Sequence, residues 1–145
     1  MVFPQLKNKH LKEALFHPED YMKYIKSKKL KNLPRKYMII HQSSVLEHFK
    51  KKYSPKKVKL PIYLKIYKYG DVGVIPAMGI GSPHVVTVFD ELINLGGKIF
   101  INFGTAGGLN DEGVFLCNKA LRDEGTSHHY ISHGRFSYPD KKLTE

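Results

Sequence analysis

A chain of 145 residues with 41% hydrophobic and 26% charged residues is sized for one domain with a real core. It has no apolar run near the roughly 20 residues that span a bilayer, and Met1-Val-Phe-Pro-Gln-Leu-Lys7 lacks the apolar stretch of a secretory signal. The net charge of +11 comes mainly from lysine between Lys7 and Lys68, with only Arg35, Arg122 and Arg135 as arginine, so lysine-rich solvated faces are favoured over a nucleic-acid surface.

Residues 1–36 read as a basic N-terminal segment in which Pro18-Glu-Asp20 opens a short helix running to about Lys29. Pro34 ends that unit. Tyr37-Met-Ile-Ile40 is a short apolar run and predicts a buried strand. Ser43 or Ser44 is the expected N-cap of a helix to about Lys52, with Val45, Leu46 and Phe49 inward. Pro55 and its lysines predict a loop. Leu60–Tyr69 alternates as a strand, Tyr69-Gly-Asp-Val72 supplies a tight turn, and Val72–Ala77 is its hairpin partner.

Ser82-Pro83 predicts a cap followed by proline at the first helical position. Val85, Val88, Phe89, Leu92 and Leu95 then recur at helical spacing until Gly96-Gly97 stops the helix. Lys98–Phe103 is a buried strand, and Gly113–Leu121 is expected to be another, with the single cysteine, Cys117, as a small buried hydrophobe on it. One cysteine excludes an internal disulfide framework and fits a reducing cytoplasm. Residues 37–130 form the expected domain, and 131–145 a polar tail. The alternation predicts an α/β sandwich with a mixed sheet.

Two glycine-rich turns frame the helix that begins near Ser82. They are Gly79-Ile-Gly81 and Gly104-Thr-Ala-Gly-Gly108. Glycine lets backbone N–H groups approach a ligand closely, and a helix start favours anions. Both turns follow strands, and ligands of open α/β sheets bind at the carboxyl ends of strands. The expected site is therefore a pocket for a phosphorylated or sugar-bearing molecule.

Met78-Gly-Ile-Gly-Ser-Pro83 with Asp90-Glu-Leu-Ile-Asn-Leu-Gly96, then Phe100-Ile-Asn-Phe-Gly-Thr-Ala-Gly-Gly-Leu109, then Ala120-Leu-Arg-Asp-Glu-Gly-Thr-Ser-His-His-Tyr130 stand in order at suitable spacing. Together they resemble the nucleoside phosphorylase family, on the branch of uridine and purine nucleoside phosphorylases, from about Gly73 to Tyr130. The resemblance implies a three-layer αβα sandwich with a mixed central sheet. Family members continue well beyond the point matching Glu145, so it also implies the N-terminal half of the fold, incomplete at the C-terminus.

The implied reaction cleaves the N-glycosidic bond of a nucleoside with phosphate, giving free base and ribose 1-phosphate. The implied partners are nucleoside, inorganic phosphate as co-substrate and a homo-oligomer, with no metal or organic cofactor. Thr105 matches the phosphate- and ribose-contacting threonine, with Gly104 beside it, and Gly79 and Gly81 match the turn bordering sugar and phosphate. Ala106 and Gly107 match the turn along the base, and His129 is similar to a base-side residue. His17 is a candidate for a histidine reaching a neighbouring subunit's ribose.

The chain also departs from the family pattern. The first phosphate loop, which in the family carries a glycine and an arginine, is here His41-Gln-Ser-Ser-Val45, and Asn102 stands where an arginine precedes the second glycine turn. Ser43, Ser44 or Lys59 are the candidate substitutes. A nucleosidase using water, a catalytically impaired nucleoside-binding fragment and a basic nucleic-acid-associated protein stay open as alternatives. Arg122 with Asp123 and Glu124 reads as a salt-bridge cluster. His128-His129 lacks metal-ligand spacing.

Overall fold

Tyr37-Met-Ile-Ile40 is apolar on both alternating faces, and such a segment is stable only in the middle of a sheet covered on both sides. In the computed structural model it lies in β1, Lys36–Ile40, the first of a set of parallel strands. The described residues are 8–25, 30, 32–60 and 63–145. They divide into two compact units, Leu15–Ala106 and, separately, Met1–Ala14 with Gly107–Glu145.

The first unit runs α1 (Pro18–Tyr24), β1, α2 (Ser43–Tyr53), β2 (Lys56–Val58), β3 (Ile66–Tyr69), β4 (Val72–Pro76), α3 (Ser82–Asn94) and β5 (Ile99–Phe103). Its sheet has the order β2-β3-β4-β1-β5. Strands β4, β1 and β5 are parallel, while β2, β3 and β4 pair antiparallel, so the sheet is mixed. Alternation sends Tyr37, Ile39, Ile66 and Ile75 into one core with Val88 and Leu92 of α3. Ile40 and Val74 go to the other face, with Leu46 of α2. Helices thus cover both faces of the sheet, as the αβα expectation requires.

The hairpin at Gly70-Asp71 and the helix stop at Gly96, which has φ +92°, agree with the sequence reading. Several boundaries do not. The strand expected over Leu60–Tyr69 is confined to β3, with residues 61–62 outside the described set. The lysine loop after Pro55 instead supplies β2, because Lys56–Val58 can pair with the outer side of β3. Helix α1 ends at Tyr24, and the rest of the expected helix, at residues 26–29, lies outside the described residues.

In the second unit the expected strand Gly113–Leu121 shrinks to β6, Ala120–Leu121, paired antiparallel with β7, Phe136–Ser137. A strand needs a hydrogen-bonding neighbour, and among the described residues Val114, Phe115 and Leu116 have none and are exposed. Cys117, expected to be buried, is exposed for the same reason, its thiol donating to the Lys119 carbonyl. A short helix, α4 (Lys141–Thr144), follows in the stretch read as tail, capped by the Asp140 side chain accepting from the Lys142 amide. Among the described residues no helix is long and apolar enough to cross a membrane.

Glu91 of α3 is 6% exposed, and its Oε2 has no hydrogen-bond partner among the described residues. Burial raises its carboxyl pKa, against the opposing effect of a hydrogen bond with Tyr63. A raised carboxyl stabilises the fold below the ordinary carboxylate range and loses that contribution as pH rises through the shifted value. Glu91→Gln keeps an acceptor for Tyr63 and removes the charge. Its melting temperature is expected to exceed the parent's by roughly 2–5 °C at pH 8, with the gap closing toward pH 4 in thermal melts.

Candidate functional site

In-register pairing of three parallel strands sets the geometry of the site. Ile40 is aligned with Pro76 on one side and Phe103 on the other, so β1, β4 and β5 end at one level. The segments leaving them, His41-Gln42, Ala77–Ile80 and Gly104-Thr105, line an open cleft of about 490 Å³ together with Asn102. The backbone ties these exits together. The His41 amide donates to the Phe103 carbonyl at 3.2 Å, and the Ala77 amide to the Ile40 carbonyl at 2.8 Å.

Two side-chain pairs cross the cleft floor. His41 Nε2 and Asn102 Oδ1 are 2.8 Å apart, which places the ring proton of that bond on Nε2. Gln42 Nε2 donates to Thr105 Oγ1 at 2.9 Å. Thr105 Oγ1 has no further hydrogen bond among the described residues, and Gln42 Oε1 is buried without a partner. Apart from His41, no titratable side chain among the described residues lines the cleft.

The first glycine turn is shaped by a histidine that the sequence reading passed over. The Met78 amide donates to His84 Nε2 at 3.3 Å, and a Cβ on Gly79 would sit 3.0 Å from the His84 ring. Gly81, at φ +92°, is the N-cap of α3, so Ser82 is already helical and the expected Ser82 cap moves back by one residue. The N-cap of α2 moves likewise, from the expected Ser43 or Ser44 to Gln42. Gln42 makes no side-chain cap bond there: its Nε2 donates to Thr105, and its Oε1 is buried without a partner among the described residues.

Of the residues singled out from sequence, Thr105, Gly104 and Gly79 line the cleft, and Gly81 stands at the helix start beside it. Ser44 is exposed in the first turn of α2 and is not in the lining, nor is Ala106. Lys59, the candidate substitute cation, lines a different groove. His17 is the N-cap of α1: its amide donates to Asp20 Oδ2 at 3.3 Å, and the Asp20 amide donates to the His17 carbonyl at 3.0 Å. In the sequence His41 and Asn102 stand out only as departures from the family pattern, and nothing marks Gln42.

Gly107 and His129 belong to the second unit. There His129 ends the 3-10 turn Ser127–His129. Arg122, 6% exposed, is the hub of that unit: it donates to Ser127 Oγ at 3.1 Å, to the Gly134 carbonyl at 2.9 Å, and to the His133 and Ile131 carbonyls. The expected salt-bridge cluster is replaced by this carbonyl binding, and Glu124 accepts from the Thr126 and Ser127 amides. No group of metal-ligating side chains occurs among the described residues.

No protein-family model matches the chain, and no solved structure matches it with significance. Two curated relatives do. The uridine phosphorylase of Treponema pallidum (strain Nichols) is 35% identical over 74 residues, 48% of this chain and 29% of that protein. The uridine phosphorylase of Haemophilus influenzae (strain ATCC 51907 / DSM 11121 / KW20 / Rd) is 33% identical over 69 residues, 45% of this chain and 27% of that protein. The matched region thus spans less than a third of the length of these relatives. Over that partial region, about half of its length, this chain is related to the nucleoside phosphorylases.

Proposed function

We propose that the cleft is the phosphate- and ribose-facing half of a nucleoside phosphorylase site, a glycosyltransferase-type centre. The observation that carries this reading is the convergence of Gln42, Gly79 and Thr105 at three in-register strand ends, in a chain related in part to uridine phosphorylases. A phosphate oxygen attacks the anomeric carbon, the bond to the base nitrogen breaks, and the departing nitrogen keeps the electron pair and takes a proton. The products are free base and ribose 1-phosphate.

In this reading the Thr105 hydroxyl donates to phosphate or to a ribose oxygen. The backbone at Gly79, Gly81 and Gly104 borders the same ligand. Ala106, next to Thr105 in the chain, is assigned to the base side. Holding an anion below the sugar lowers the entropic cost of bringing two reactants together and sets negative charge against the positive charge that develops on the sugar. Inorganic phosphate is the co-substrate, no organic cofactor or metal takes part, and the working form is a homo-oligomer in the cytoplasm.

Incubation with uridine, inosine and adenosine, with and without phosphate, tests the reading by release of free base. Release is expected only with phosphate. One observation favours a second reading: among the described residues no lysine or arginine lines the cleft, so none of them offers phosphate a charge-assisted hydrogen bond. Equal release without phosphate would establish a nucleosidase. Saturable nucleoside binding with no release would establish a binding module.

A further inference from the structure

We propose that the β2 edge of the sheet holds a second anion site that takes a compact polyphosphate, separate from the nucleoside cleft. A groove of about 560 Å³ is lined there by Lys56, Lys57, Lys59 and Lys68 with Val58 and Asn32. Antiparallel pairing sets Lys56 directly opposite Lys68. Directly opposed like charges destabilise a strand pair, so this register stores repulsion that an anion relieves.

The surroundings leave that charge uncompensated. None of the four lysines forms an ion pair among the described residues. The nearest carboxylate in sequence, Asp71, is engaged elsewhere, 3.8 Å from Lys36 Nζ and accepting from the Arg35 amide at 3.4 Å. Lys68 Nζ is held in place by donating to the Asn32 carbonyl at 2.5 Å, and Asn32 has a left-handed backbone at φ 58°.

The lining also selects the kind of anion. Its volume suits a small ligand, and lysines act as point charges toward phosphate. Among the described residues it contains no arginine to read base edges and no aromatic ring on which bases would stack, both of which a nucleic-acid groove uses. Edge lysines also guard against edge-to-edge pairing of sheets. That role alone gives no saturable ligand.

Tripolyphosphate is the probe, titrated calorimetrically into the full chain and followed by thermal melts at 50 and 300 mM salt, in the parent, Lys56→Gln/Lys68→Gln and the control Lys98→Gln. Saturable binding is expected in the parent, weakening steeply with salt. The double variant should bind at least tenfold more weakly, yet melt no lower than the parent without ligand because the opposed charges are gone. Lys98→Gln should behave as the parent. The single Lys56→Gln variant serves if the double variant does not fold, and is expected to lose affinity in the same direction. Non-saturable binding, an equal loss in Lys98→Gln, or tighter lysine-dependent binding of a single-stranded oligonucleotide than of tripolyphosphate would each overturn the proposal.

Discussion

Thr105→Val is expected to lower phosphate-dependent kcat/KM by roughly two orders of magnitude, the effect of losing one well-placed donor to an anion. Valine keeps the branched shape and removes only the hydroxyl, and Thr105 is exposed, so the fold has little reason to change. Thr105 Oγ1 makes one hydrogen bond among the described residues, with Gln42 Nε2 at 2.9 Å, and in the proposed function its O–H donates to the ligand. Thr105→Ser should keep most of the activity, and both variants should melt with the parent. Steady-state rates at varied phosphate check this, and an unchanged Thr105→Val would remove Thr105 from the site.

Gly73→Ala should destabilise the protein by about 2 kcal/mol, a fall in melting temperature of roughly 5–12 °C. A Cβ there would lie 2.7 Å from Cδ1 and Cε1 of the Tyr37 ring and 3.1 Å from Ile66 Cγ2. Neither neighbour has room to yield. Tyr37 is 2% exposed and stacks on Phe100, with ring centroids 6.1 Å apart, and Ile66 is fully buried. Burial, with a smaller push from Asp71, also drives the Tyr37 hydroxyl pKa up to about 12. Gly107→Ala is the control, since an added Cβ there meets nothing within 4 Å. Denaturant or thermal unfolding separates the two substitutions, and comparable stability for both would contradict the close packing of β4 on Tyr37.

Much of the first unit was legible in its residues. The doubly apolar run at Tyr37–Ile40 marks a central strand, Gly70-Asp71 a hairpin, and the Val85–Leu95 spacing a helix, because each depends on neighbours within a few positions. The misread segments depended on distant partners. Lys56–Val58 is a strand only because β3 lies beside it, and Val114–Leu116 is not one because nothing pairs with it among the described residues.

The candidate site divides the same way. Composition and spacing by themselves determined that two glycine turns follow strands and flank a helix, because glycine and proline act on the local backbone wherever they stand. Only the tertiary structure decided what those turns face. Gln42 meets Thr105 across 63 positions and His41 meets Asn102 across 61, contacts set by the parallel register of β1 with β5 and by no local preference. Strand register is a property of the assembled sheet: a one-residue slip would turn every side chain to the other face and separate both pairs.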